Sequence, residues 1–304
     1  MVLRIRWAAS AAAGLLTLAV AAAATAQTPP PAPPQMDPKA LYAGALKRAQ
    51  TDPKSRESAR AYLAAQDAPM PPNAARLDEL LQAKDYQNLF SALTSANAYE
   101  AVNLDLNWEQ RKLFDGAGLI MALAYVNDLW RMGQAMKAQG GDQLLQSAVA
   151  FSLYADALVE VDGARCADAA APAFRRKQLF EQRPEVWAYA ARLPKAARDN
   201  ITAVSLGYEA LTSPVRRDDE VLCQGPTTGS MAEMADGLVA LAKEGKQPKQ
   251  VSRPDVIGKS YEVPRAPPKF LAPAEWKPRQ AAARERLADL LIETVAKGAP
   301  PAAR

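Results

Sequence analysis

Carboxylates are the residues best placed to do chemistry in this chain. Glu109 follows Trp108, and Asp115 and Asp128 lie in a strongly apolar stretch. An apolar setting keeps one carboxyl protonated, so that it can act as an acid while a second carboxylate serves as base or nucleophile, which is what glycoside cleavage requires. Read on one helix, Asp115 and Asp128 are thirteen residues apart, or about 20 Å at 1.5 Å per residue. They cannot serve one bond together.

Other chemistries are excluded by composition. The 304 residues include no histidine, which removes Ser-His-Asp and Cys-His arrangements, histidine-ligated zinc and haem held by a proximal histidine. Cys166 and Cys223 are the two cysteines. Paired, they close a loop that stabilises the fold by roughly 4 kcal/mol on the chain-entropy argument, and pairing takes thiolate metal sites away. Asn103, Asp105 and Asn107 put oxygens at alternate positions, as a calcium loop does, but the glycine and closing glutamate are not at the required spacing. The segment from Ala98 to Asn107 reads as a loop, with Asn107 capping the next helix. No catalytic, cofactor or metal residue is assigned.

These residues are positioned by helices. From Leu113 to Met136 the apolar side chains cover more than one face, which marks a buried helix. Gly116 and Gly118 fall inside it, where glycine costs about 1 kcal/mol, so a close helix crossing is expected beside them, or a ligand near Met121, Met132 and Met136. After Gly140–Gly141, with Asp142 as the expected cap, Leu144, Ala148, Phe151, Ala155 and Leu158 form the stripe of a second long helix. A connection this short predicts an antiparallel hairpin at the centre of the core.

Start signals recur at Asp37-Pro38 and Asp52-Pro53, the second opening a helix with Ala59, Tyr62 and Leu63. A pattern from Ala74 to Ala96 turns near Lys84-Asp85. Its segment Leu80–Leu89 resembles the turn of a tetratricopeptide-type helical pair over one repeat; no 34-residue period follows, so it reads as a local helical hairpin. Arg175, Arg176 and Lys177 form a basic run on a helix, either a solvated face or a contact for an anionic partner. Pro184 and Pro194 bracket a short helix, another follows from Ala197 to Leu211, Arg216–Glu220 reads as a charged loop, and Ser230 with Glu233 fits a capping box.

Residues 246–279 hold seven prolines, eight basic and three acidic side chains. Proline removes a donor and clashes with the preceding turn, so this is read as an extended basic strap. Tyr261, Phe270 and Trp276 are its anchors or its partner contacts. A final amphipathic helix occupies the last segment, 280–304, and ends at Gly298.

At the other end, Arg4 and Arg6 precede an uncharged alanine-rich segment and Ala24-Thr25-Ala26, the order of a secretory leader cut after Ala26. Cleavage leaves 278 residues with 35 basic and 33 acidic side chains, a balance that argues for no nucleic-acid partner. A Pro-rich tether spans 27–36 and a helical domain 37–245. No sustained alternation of β-branched residues marks a strand. The expectation is an all-α, irregular multi-helix array of solenoid-like hairpins, periplasmic or secreted, with no transmembrane segment after cleavage. Its expected role is that of a non-catalytic interaction or scaffold protein with an envelope protein partner. The alternatives are a carboxylate-based hydrolase or lyase acting on cell-wall polysaccharide, and a soluble carrier of an apolar ligand.

Overall fold

The computed structural model describes residues 37–52, 54, 57, 69–225, 238–239, 241–251, 260–262 and 267–298. The leader, the tether, the helix expected around Ala59–Leu63 and the Ser230–Glu233 capping box lie outside the described residues. The fold is all-α and multi-helical.

Helix α1 (Pro38–Thr51) starts where Asp37 accepts a hydrogen bond from the Lys39 N–H at 3.0 Å with proline in the first turn. Helices α2 (Ala74–Gln82) and α3 (Tyr86–Thr94) form the predicted hairpin. Lys84 takes the left-handed conformation at φ 57°, and Asp85 caps α3 through the Asn88 N–H. Helix α4 (Tyr99–Phe114) packs on α5 (Leu119–Ala135), which turns through Gly140 into α6 (Asp142–Asp162). Asp142 is the first residue of α6 and Gly141 occupies the cap, without a side-chain bond from Asp142. Helices α7 (Ala170–Gln182), α8 (Pro184–Arg192) and α9 (Lys195–Thr212) follow, with Pro184 in the first turn of α8 and Pro194 just before α9. The short helix α10 (Glu220–Cys223) comes next, and then α11 (Pro273–Lys297), closed by Gly298 at φ 62°.

The expected hairpin is the centre of the core. Helix α6 is enclosed by α5, α7, α8, α9 and α11, and Leu145, Val149, Leu153, Tyr154 and Leu158 are fully buried along it. Among the described residues it is also the one helix long and apolar enough to cross a membrane, and most of its apolar surface is buried inside the protein. Tyr125, Phe151, Tyr154 and Tyr208 stack edge-on or tilted across α5, α6 and α9 at 4.5–6.1 Å, where ring quadrupoles favour offset contacts.

Three expectations change. The helix expected to run unbroken from Leu113 to Met136 is two helices, because Gly116 sits at φ 89° and ends α4. A Cβ there would lie 2.6 Å from the Val215 carbonyl oxygen, and one on Gly118 would collide with the Asp219 carboxylate. The glycines thus admit the loop after α9 rather than a crossing helix or a ligand. The segment read as a loop at Ala98–Asn107 is the first half of α4, and Asn107, instead of capping, donates to the Pro69 carbonyl at 3.0 Å. Last, α11 begins at Pro273 rather than 280 and carries Pro278 inside it. Its Leu287, Leu291 and Val295 belong to the main core. A short antiparallel ribbon, β1 (Lys249–Val251) with β2 (Ser260–Glu262), interrupts the strap.

Candidate functional site

Two interior clusters of charge differ in how completely they are satisfied. The first sits between α4 and α5. Asp105 and Glu109 are one turn apart on α4, so they share a face, and Asp128 meets them from α5; all three are buried, Glu109 completely. Asp128 accepts from Asn127 at 3.1 Å and from Arg131 at 3.1 Å. Arg131 also donates to the Ala96 carbonyl, and Asn127 in turn accepts from Arg183. Neither carboxyl oxygen of Glu109 has a partner, nor does Asp128 Oδ2. Burial pushes Glu109 far above the ordinary carboxylate range, and the neighbouring Asp128 and Asp105 push it further. Burial and Asp128 raise Asp105 to about 6. Burial raises Asp128 too, against the pull of Arg131.

Glu109 is the carboxyl beside Trp108 that the sequence offered as a candidate acid, and it is closed off from solvent. Trp108 is buried and donates to Asp78 at 2.9 Å, while Lys112 lies over its ring and pairs with Asp78 at 2.6 Å. Asp115 stands apart, exposed at the end of α4 on a different helix from Asp128. The sequence singled out Asp105 only with Asn103 and Asn107, as alternating oxygens in a loop, and its i,i+4 spacing from Glu109 on one helix was the signal that could have joined the two. Among the described residues no group of three or more acidic or cysteine side chains is arranged to hold a metal ion. What the cluster can do chemically is hold on to a proton to higher pH than solvent-exposed carboxyls do.

The second cluster joins α1, α6, α9, the following loop and α11. Arg216, read as part of a charged surface loop, is buried. It donates to Asp162 at 2.6 Å, to Glu209 at 2.5 Å, to the Glu209 carbonyl at 2.8 Å and to Thr212 at 2.7 Å. Glu209 also accepts from Tyr42 at 2.6 Å and from Arg284 at 3.2 Å, and Gln280 reaches Asp162 at 3.2 Å. Burial alone would raise the Glu209 carboxyl, but Arg216, Arg284 and the Tyr42 hydroxyl outweigh it and hold it below its ordinary value. A fully bonded buried network of this kind is a structural clamp.

The cysteines pair as expected, with Cα atoms 5.1 Å apart, and the bridge ties α10 to the short 3-10 turn Gly163–Arg165 that continues α6. Beside it the strap runs antiparallel to the chain: Ala167 donates to the Lys269 carbonyl at 3.0 Å, Leu271 donates to the Arg165 carbonyl at 2.8 Å, and Phe270 pairs with Cys166. Phe270 packs on the core and Trp276 lies under the Arg165 guanidinium at 4.6 Å. The basic run divides. Arg175 donates to the Val221 carbonyl at 2.7 Å, Arg176 is bonded to Asp156 at 2.9 Å, and Lys177 alone is solvated, near Glu181. Tyr261 lies in β2. No family model, curated protein or solved structure matches this chain.

Proposed function

We propose that the chain is an exported, non-catalytic helical interaction protein of the cell envelope, whose strap engages an extended segment of a protein partner. The observation that carries this reading is the seating of Lys269–Leu271 against Arg165–Ala167 beside the disulfide. The basic, proline-rich chain ahead of it is thereby attached to a covalently locked floor. Upstream, β1 and β2 make a two-stranded ribbon, and the outer edges of such a ribbon offer main-chain groups for an added strand. Periplasmic or secreted location rests on the Arg4–Ala26 leader pattern and on the disulfide, which an oxidising compartment allows to persist.

The test is affinity capture from an envelope fraction with the full chain, beside a version in which residues 249–262 are replaced by a Gly-Ser segment of equal length. Helix α11 stays in place, because it supplies core residues. A defined protein retained by the first and lost by the second supports the reading. Identical recovery by both removes the strap from it. Reaction of Cys166 and Cys223 with a thiol reagent in freshly denatured cells would speak against export.

A further inference from the structure

The turn that joins α4 to α5 is held at one end. Asp219 accepts a hydrogen bond from the Leu119 N–H at 2.6 Å, and Gly116 lies against the Val215 carbonyl. The Asp105–Glu109–Asp128 cluster is one to three turns up from that held end, inside the seam between the two helices. Glu109 is fully enclosed there, with both oxygens unpartnered. An orphaned buried polar group of this kind costs stability that an apolar or amide side chain of the same shape would not.

We propose that α4 is a proton-operated lever: it lies closed on α5 while Glu109 carries a proton and swings away from the Asp219-pinned turn when Glu109 ionises. Burial, Asp128 on α5 and Asp105 on α4 itself make ionisation of Glu109 costly, Arg131 on α5 eases it, and Tyr125 is coupled to it from α5. From α2, Asp78 is engaged by Trp108 and Lys112; from α9, the Tyr208 hydroxyl accepts from Gln110 at 3.1 Å; and Arg183 acts on Asp128. The nearby cation on α5, Arg131, is bonded to Asp128 and the Ala96 carbonyl and keeps one unpartnered donor at Nε, so an anionic Glu109 meets two carboxylates against that single N–H. Moving into water solvates the ion more fully than the closed seam does. On the export proposed above, the chain would read through this seam the pH of a compartment that follows its surroundings.

Hydrogen exchange on the full chain at pH 5.5 and pH 8, corrected for the intrinsic rate, tests it. Protection in residues 99–114 falls with rising pH by up to about tenfold per unit, the limit for one coupled proton, while α6 stays protected. In Glu109→Gln the protection of α4 persists at pH 8. Equal protection of wild-type α4 at both pH values overturns the proposal, as does an unchanged loss in Glu109→Gln. Should that variant not fold, infrared spectroscopy of the wild-type chain decides: a protonated-carboxyl band that disappears together with α4 protection supports the lever, and its absence at pH 5.5 refutes it.

Discussion

Arg216 and Glu209 meet at 2.5 Å with neither side chain reaching solvent, although seven residues apart in sequence they belong to a helix and the loop beyond it. Because Arg216 also neutralises Asp162 at 2.6 Å, Arg216→Met leaves Asp162 with the neutral Gln280 and Glu209 with Tyr42 and Arg284. Breaking a buried pair from one side typically costs about 3–5 kcal/mol. Urea unfolding of R216M should show a loss of that size, with Arg284→Met losing less, since Arg284 is partly exposed and Glu209 keeps Arg216.

The two glycines of the α4–α5 turn should respond differently from the glycine before α6. Gly116→Ala and Gly118→Ala each push a methyl into the Ser213–Asp219 loop and are expected to cost about 2 kcal/mol or more. Gly140→Ala has open space around it, so only its left-handed backbone is penalised, by about 1 kcal/mol. Thermal melts of the three variants rank them.

Removing the disulfide by Cys166→Ala with Cys223→Ala should cost roughly 4 kcal/mol. Proteolysis should then cut first near α10 and Lys269, because the bridge holds both.

The two charged clusters titrate in opposite senses. Asp105, raised to about 6, and Glu109, also raised, stabilise the fold fully below their ordinary values and lose that contribution as pH climbs through their folded ones. Glu209, held low, contributes above its ordinary value and loses the contribution as pH falls through its folded one. Stability should therefore peak in acidic solution, at about pH 4. Asp105→Asn should flatten the decline between roughly pH 4 and pH 6 and leave the acid limb in place.

Much of this was legible locally. The hairpin through Gly140, the cap at Asp37, the turn at Lys84–Asp85 and the stop at Gly298 each rest on neighbours within a few residues, and the cysteine pair followed from there being two cysteines in a chain with a leader pattern. Other features were hidden because their causes are distant. The apolar run through Gly116 is continuous, so periodicity could not show the break that Val215 and Asp219 impose a hundred residues later. Tyr99–Asn107 looked like a loop because its polar residues dominate the pattern, yet Val102, Leu106 and Trp108 are buried on α4. Arg216, Arg175 and Arg176 looked solvated because the carboxylates and carbonyls that receive them come from other helices. Pro278 marked an extended strap by type alone, whereas α11 absorbs it near its start, where one lost main-chain bond is tolerable.

The first and last described helices share a seam: Lys39 pairs with Asp289 at 2.5 Å, and the cleft beside it is lined by Asp37 and Pro38 together with Ile292, Val295 and Ala296. The start of α1 and the end of α11 are thus at one pole of the protein. Whatever precedes Asp37 and whatever follows Gly298 depart from the same spot, so a tag, a tether or a pulling force applied at either end loads the same small patch. A circular permutant joining the two ends by a short linker should keep the fold, with new ends in the segment between Lys246 and Pro267.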